Sequence, residues 1–462
     1  MKQKINANKS LWIILLVSTI LVSCKLTEQY KRPVGIVDKA LYRDGNATDT
    51  TSIGNVPWKQ MFRDTLLQRL IQEGIDNNLD LRIATSRIKE SEANLRQSKA
   101  AFFPTLAVNA SAPVANTSNI SGTSTLYQLY GTSGWEVDIW GKFRNSKKAA
   151  LAALLQSQAY KKAVQTQLVA DIASNYIALQ ALDAQLQVTR KTVENRKLDV
   201  EIMKKLKQSD VVTGAAVVQS EANRYSVEVT IPDLLQNIRT TENSLSILLG
   251  RKPGSIERDS LNQQQTWTGL QTGVPLQLLA NRPDVMEAEY QLRYNFELTK
   301  VARTYFYPSL TITADGGFAN GNISNLFNPA SIFGSILGGL IQPVFNHGLN
   351  KQRLDVAKAQ EEEALDSFKK TLLNAGQEVS NALYNYQTAS DKIKIREKQI
   401  DFLQKSVDYT KELLKYSANT NYTDVLTSEQ SLLAAQLNNV SDKVQQLQAV
   451  IALYRSLGGG WK

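Results

Sequence analysis

The chain has 462 residues, 53 of them basic and 43 acidic, with 42% apolar residues and a mean hydropathy of −0.28. That balance argues against a bundle of membrane helices, and the length suits two to four ordinary globular domains. The net charge of +10 is spread along polar helix faces rather than clustered, which marks a solvated surface and gives no support to nucleic-acid binding.

Leu11 to Val22 is the one strongly apolar run, and its 12 residues are too few for a spanning helix, which needs about 20. Lys2, Lys4 and Lys9 precede it and Leu21-Val22-Ser23-Cys24 closes it, the layout of a secretory signal over residues 1–23. Leu-Val-Ser-Cys is also similar to a bacterial lipobox, in which Cys24 becomes the lipidated first residue. An ordinary signal with an incidental cysteine is the plainer alternative. Losing three lysines with the signal lowers the net charge to +7. As the sole cysteine, Cys24 can form no internal disulfide.

Residues 24–60 read as a tether from the anchor, polar and irregular around Pro33, Gly35, Gly45 and Gly54. Helical periodicity begins near Asp64, with Leu66, Leu67, Leu70, Ile71 and Ile75 on one stripe. A second helix is predicted from Asp80 to Ala101, ending before Pro104 because proline disfavours helix in the residue ahead of it. The apolar period then switches to two. Leu106, Val108, Ala110, Ala112 and Val114 alternate with Thr105, Asn109 and Ser111, and Tyr127, Leu129, Trp135 and Val137 alternate with Gln128, Tyr130, Thr132 and Glu136. Leu310, Ile312, Ala314 and Phe318 repeat the alternation, and Ile332 to Phe345 is a Gly-rich fourth candidate. Four strands in two hairpins, apolar on one face and polar on the other, suit a membrane β-barrel with a wet lumen. A soluble sandwich shows the same alternation.

A long helix follows each hairpin. Residues 142–213 hold neither Gly nor Pro, a span on the order of 100 Å if continuous. Leu349 to Leu457 holds no Pro and one Gly, Gly376. Polar turns at Gln208 to Gly214 and at Tyr416 to Tyr422 reverse the chain, with Asn419 suited to positive φ. Return helices end near Leu249-Gly250 and Leu457-Gly458, with glycine as the stop.

The pattern occurs twice. Asn77-Asn78-Leu79-Asp80-Leu81 recurs 204 residues later as Asn281-Arg282-Pro283-Asp284-Val285, and the distance to Pro104 and to Pro308 is 27 residues in both copies. The turns repeat with an offset of 208, Val217 to Glu221 matching Val425 to Glu429. Equivalent halves at 61–260 and 261–462 are therefore expected. Asp80 and Asp284, at equivalent places, are expected to start a helix and stabilise its positive end. Four strands cannot close a membrane barrel, since eight is the smallest known and open edges are not tolerated in lipid. Three copies would supply twelve.

The chain resembles the TolC-like outer-membrane efflux factors, in the lipoprotein branch that serves resistance–nodulation–division pumps. The resemblance is carried in order by Trp58, Phe62-Arg63-Asp64 and Leu66, both repeat motifs, and Glu136-Val137-Asp138-Ile139-Trp140-Gly141. It continues through Ile231-Pro232-Asp233-Leu234, Glu242-Asn243, Leu248-Leu249-Gly250-Arg251, Tyr422-Thr423-Asp424-Val425-Leu426, Ala452-Leu453-Tyr454-Arg455 and Leu457 to Trp461. It implies an α+β membrane protein: a homotrimer with one 12-stranded β-barrel, four strands per protomer, continuous with a long α-helical barrel. It also implies a passive outer-membrane channel without cofactors, docked to a periplasmic adaptor and an inner-membrane pump, exporting drugs or other small toxic compounds. Asp424, Tyr422 and Asn421 match the periplasmic tip, where Asp424 either lines the gate or caps its helix. Asp210 offers a second acidic ring, because the first tip has Ala216 where the second has Asp424. A duct for secreted proteins and a non-porous coiled-coil spacer are the other readings. No zinc spacing, P-loop, dinucleotide fingerprint or nucleophile motif appears, and the lone His347, opposite Trp140 in the repeat, is read as structural, so no enzyme is expected.

Overall fold

The computed structural model describes residues 29–33, 35–36, 41–43, 51–116, 123–264, 270, 272–273, 275–416 and 422–462. Residues 1–28, with the predicted signal and Cys24, lie outside the described residues, as do Asn419 and Asn421.

The chain runs α1 (Thr65–Asn77), α2 (Leu79–Ala100), β1 (Thr105–Ser111), β2 (Tyr127–Val137), α3 (Lys142–Gln208), α4 (Gly214–Glu228) and α5 (Thr230–Leu248). It then repeats as α6 (Pro283–Thr304), β3 (Ser309–Asn320), β4 (Ile332–Ile341), α7 (Leu349–Tyr416) and α8 (Tyr422–Ser456). The unbroken α3 and α7 are 67 and 68 residues long, as expected where no Gly or Pro interrupts α3 and a single glycine sits in α7. The two return limbs differ. Pro232 lacks an N–H and crowds the carbonyl a turn earlier, so the first limb breaks at Val229 into α4 and α5. Val440 stands at the equivalent position, 208 residues on, and α8 runs on without a break. The fourth strand stops at Ile341, four residues short of expectation, just before Pro343.

One compact unit comprises the described residues among 1–34, 87–157 and 287–368. Its sheet is antiparallel in the order β1-β2-β3-β4, and a short ladder, Val114–Asn116 on Thr123–Thr125, accompanies the first hairpin. Each hairpin turns into its long helix at a positive-φ glycine, Gly141 (81°) and Gly348 (77°). Asp138 accepts hydrogen bonds from the Phe143 and Arg144 amides at 2.9 and 3.0 Å, capping α3. Trp140 stacks on Tyr307 and its Nε1 donates to the Pro308 carbonyl at 2.7 Å. His347, its counterpart, has φ 54° and sets its ring edge-on against Phe345.

The second unit comprises Gly35–Ser86, Gln158–Met286 and Lys369–Lys462, and it contains both repeat motifs. Here both motif acids stand in the first turn of their helices. Asn78, not Asp80, caps α2: its Oδ1 accepts the Leu81 amide at 3.1 Å, and Asp80 sits in the first turn. Asp284 likewise follows Pro283 as the second residue of α6. In α2 the cap is ahead of the acid because a cap needs extended backbone and a side chain that reaches back over the turn. Asp80 still faces the positive helix end.

The two motifs are joined to their return helices in the same way. Asn78 Nδ2 donates to the Leu248 carbonyl at 2.9 Å, and Arg282 Nη1 donates to the Ser456 carbonyl at 3.0 Å. Gly250 and Gly458 have φ of 69° and 83°, and a Cβ there would stand 2.4 Å from the Asn77 carbonyl oxygen and 2.3 Å from that of Asn281. Only glycine meets both demands. The segment read as an irregular tether is in fact packed at several points. Tyr30 meets Phe296 edge-on and Arg32 pairs with Glu289 at 2.6 Å in the first unit. In the second, Tyr42 and Ile53 are buried, and Leu41 lies where a side chain on Gly376 would be. The lone glycine of α7 thus leaves room for that segment.

Gly458→Ala is expected to destabilise the fold by about 1–3 kcal/mol, read as a lower unfolding temperature in detergent. Gly214→Ala, at a helix start with ordinary φ, should change it by less than half as much.

Candidate functional sites

Register turns the strand alternation into a surface. Leu106, Val108 and Ala110 pair with Ser133, Gly131 and Leu129; Leu129, Ser133, Trp135 and Val137 pair with Phe318, Ala314, Ile312 and Leu310. Leu310, Ala314 and Phe318 in turn pair with Leu340, Ile336 and Ile332. Directly paired residues project to the same side of a sheet. One face is therefore apolar across all four strands, and Leu106 and Ile336 on it are 80% and 81% exposed. The opposite face carries Thr105, Asn109, Gln128, Thr132, Glu136, Thr311, Thr313, Asp315 and Ser335, together with Tyr130 and, on β4, the apolar Phe333, Leu337 and Ile341. β1 and β4 each have one unpaired edge. Among the described residues no helix is long and apolar enough to cross a membrane.

In the second unit the chain reversals pack together. Met203 of α3 and Tyr422 and Val425 of α8 form a buried cluster, joined by Leu206, Val212, Ala216, Val217 and Leu414. Asp210 takes φ 55° at the end of α3, and the Val211 amide closes the turn on the Leu206 carbonyl at 2.9 Å. This is a Schellman stop with aspartate where glycine is usual, tolerated because a short polar side chain accepts the left-handed region. Thr213 then caps α4.

Of the four residues expected at the gate, Asp210 and Asp424 are exposed, Tyr422 is buried in the cluster at 8% exposure, and Asn421 lies outside the described residues. Burial pushes the Tyr422 phenol above its ordinary range and so keeps it neutral. Asp424 is the third residue of α8 and not its cap. It faces the helix N-terminus, where a carboxylate is favoured.

Pattern reading missed two charged networks. Arg282, 8% exposed, binds Asp284 at 2.8 Å and Glu378 at 2.7 Å besides the Ser456 carbonyl. Burial alone would lower its pKa, and the hydrogen bonds and charges of Asp284 and Glu378 outweigh it, so the net direction is up. Lys411 bridges Asp199 and Glu429 behind the tip cluster. Asp284 is two residues from Arg282, but Glu378, Asp199 and Glu429 lie on other helices than the cations they meet, and no spacing marks them. Among the described residues no group of acids, histidines or cysteines has the arrangement of a metal site.

Such a sheet and such helices define a class of channel-forming outer-membrane proteins. The sequence profile of the outer membrane efflux protein family matches residues 70–251 and again 274–459, and the chain belongs to that family. It is 28% identical to the cation efflux system protein CusC of Escherichia coli O157:H7 over 460 residues, covering 96% of this chain and 98% of that one. It is also 28% identical, over 475 residues, to the toluene efflux pump outer membrane protein TtgC of Pseudomonas putida, covering 98% and 96%. A crystal structure of CusC superposes with a TM-score of 0.86 at 26% identity, covering 95% of this chain and 100% of that one. The family is one of channels and not of enzymes.

Arg282→Ala strands Asp284, Glu378 and the Ser456 carbonyl together. A loss of about 3–5 kcal/mol, the figure for breaking a buried pair from one side, is expected in denaturant titrations. Arg282→Lys should recover only part, because one ammonium cannot reproduce the fork.

Proposed function

We propose that this chain is the passive outer-membrane exit channel of a tripartite efflux system. It exports drugs or other small toxic compounds handed on by an inner-membrane resistance–nodulation–division pump through a periplasmic adaptor. The observation that carries this is the four-stranded sheet, apolar on one face, polar on the other over β1 to β3, and open at both edges. In hydrocarbon an unpaired edge is untenable, so β4 of one copy pairs with β1 of the next, and three copies close a 12-stranded barrel. The apolar face meets lipid and the polar face lines the lumen. The long α3 and α7 with their return limbs supply the helical barrel.

Cys24 is lipidated after removal of residues 1–23, anchoring the chain to outer-membrane lipid; residues 24–60 form the anchored segment, and 61–260 and 261–462 are equivalent halves. Asn77, Asp80 and Pro104, with Asn281, Pro283, Asp284 and Pro308, are structural markers of those halves. The cargo is decided elsewhere: two relatives of equal identity are named for cations and for toluene. The channel contributes polarity, width and a gate. Asp424 and Asp210, exposed at the reversals, form the acidic lining of that gate, and Tyr422 holds its helix in place from within. Three copies of each acid would converge and favour cations.

The purified protein is expected to be a trimer by native mass and to conduct ions in planar bilayers, and deleting its gene should raise susceptibility to toxic compounds. A non-conducting monomer would refute the reading. Asp424→Asn should lower the cation-to-anion permeability ratio, measured from reversal potentials in a salt gradient, and Asp210→Asn should lower it further in the double variant.

A further inference from the structure

Behind the apolar tip cluster, one lysine holds two acids that come from two other helices. Lys411 of α7 lies 2.9 Å from Asp199 of α3 and 2.6 Å from Glu429 of α8. Both acidic residues are buried, at 8% and 9% exposure. Glu429 Oε1 takes the ammonium, and among the described residues its Oε2 meets no hydrogen-bond donor. The group beside it, the Asp199 carboxylate, is another acceptor. Two buried acceptors held by the same ammonium are near neighbours, and a proton on one of them can serve both. Glu221, the counterpart of Glu429 in the first half, pairs with Lys204 at 3.2 Å with both side chains exposed. The buried arrangement is thus confined to the second reversal.

We propose that Asp199, Lys411 and Glu429 form a proton-loaded clamp that fastens α8 and α7 to α3 behind the paired reversals, tightening as pH falls. With both acids ionised, two carboxylates share one ammonium and repel each other. One added proton lets Glu429 donate to Asp199 while its other oxygen keeps Lys411, and the triad becomes neutral. Burial, and then the charge of Asp199, raise the affinity of Glu429 for that proton, and together they outweigh Lys411, which acts the other way.

Besides the triad, Lys191 and Arg196 from α3, Asp408 from α7 and Lys443 from α8 line the same cavity, and the ion pairs of the two acids are with Lys411. From α3, Arg196 faces the same cavity but its Nε and Nη2 reach no acceptor, so it does not bridge the acids. From α8 itself, Tyr422 is held neutral. α4 contributes the buried Ser220 and Asn223, which do not titrate. The sign follows. The pKa of Glu429 is higher in the packed state than when the helices part and it is solvated. The proton's contribution is therefore complete below the ordinary carboxylate value, about 4.3, and is lost as pH rises through the raised value. That the clamp controls flow rests on the channel reading above; that it fastens the helices does not.

Hydrogen exchange by mass spectrometry on the purified assembly, corrected for intrinsic rates at pH 5.5 and 7.5, tests it on the amides of residues 422–430. Protection should rise as pH falls, by at most about tenfold per pH unit, the limit for one proton. Glu429→Gln carries a fixed donor toward Asp199 and should be protected equally at both pH values. Lys411→Met should lose protection at both. A flat wild-type profile, or a Glu429→Gln profile that still follows the wild type, overturns the clamp. Conductance recorded on the same samples separates the two readings: pH-dependent protection with pH-independent conductance keeps the clamp and overturns the reversals as the gate.

Discussion

A backbone amide in hydrocarbon has no water to turn to, and each one left unpaired costs several kcal/mol. That constraint bears hardest on β1 and β4, whose outer edges are bare in a single copy. The sheet is otherwise prepared for lipid, with one apolar face kept in phase through three ladders of pairing. A one-residue slip in any ladder would move a whole strand's apolar set to the polar side. The long helices depend on the same closure, because each leaves its hairpin at a glycine corner whose direction the sheet sets.

The internal repeat is a geometric solution used twice with different side chains. Asn78 and Arg282 both hold the carboxyl end of a return helix, one as a neutral amide and cap, the other as a buried guanidinium with two acids. Gly250 and Gly458 are the same residue in both because a carbonyl oxygen lies where any Cβ would be. Trp140 and His347 occupy one corner position with unrelated contacts. Pro232 and Val440 divide a broken return limb from a continuous one. Where backbone approach is closest the halves agree, and where side chains meet partners from other helices they diverge.

The divergence is greatest at the reversals. The first ends in an αL aspartate, Asp210, and offers Ala216 to the shared cluster; the second places Tyr422 and Val425 in it and leaves Asp424 outside. A cluster built from both reversals ties their positions together, so a change in one is felt by the other. The buried lysine with its two acids lies on the same helices and adds charge to a joint that is otherwise apolar.

Most of the architecture was legible from local pattern. The period of two in Leu106 to Val114 and Leu310 to Phe318, the absence of Gly and Pro from residues 142–208, and the doubled motif at Asn77 and Asn281 each report on a few neighbouring residues, which is the range over which backbone preference acts. The same pattern put Asp80 at the start of α2 but did not pick out the cap, Asn78, which only its hydrogen bond from the Leu81 amide reveals. It could not foresee that Leu41 lies against Gly376, that Arg282 gathers Asp284 and Glu378, or that Lys411 joins Asp199 to Glu429. Apart from Asp284, two residues from Arg282, those partners come from separate segments of the chain, and a charge's neighbours across helices are set by how the helices pack. The sequence alone determined which segments are helix or strand and that they come twice; the tertiary structure decided which buried charges meet, because spacing along a chain carries no record of distance across it.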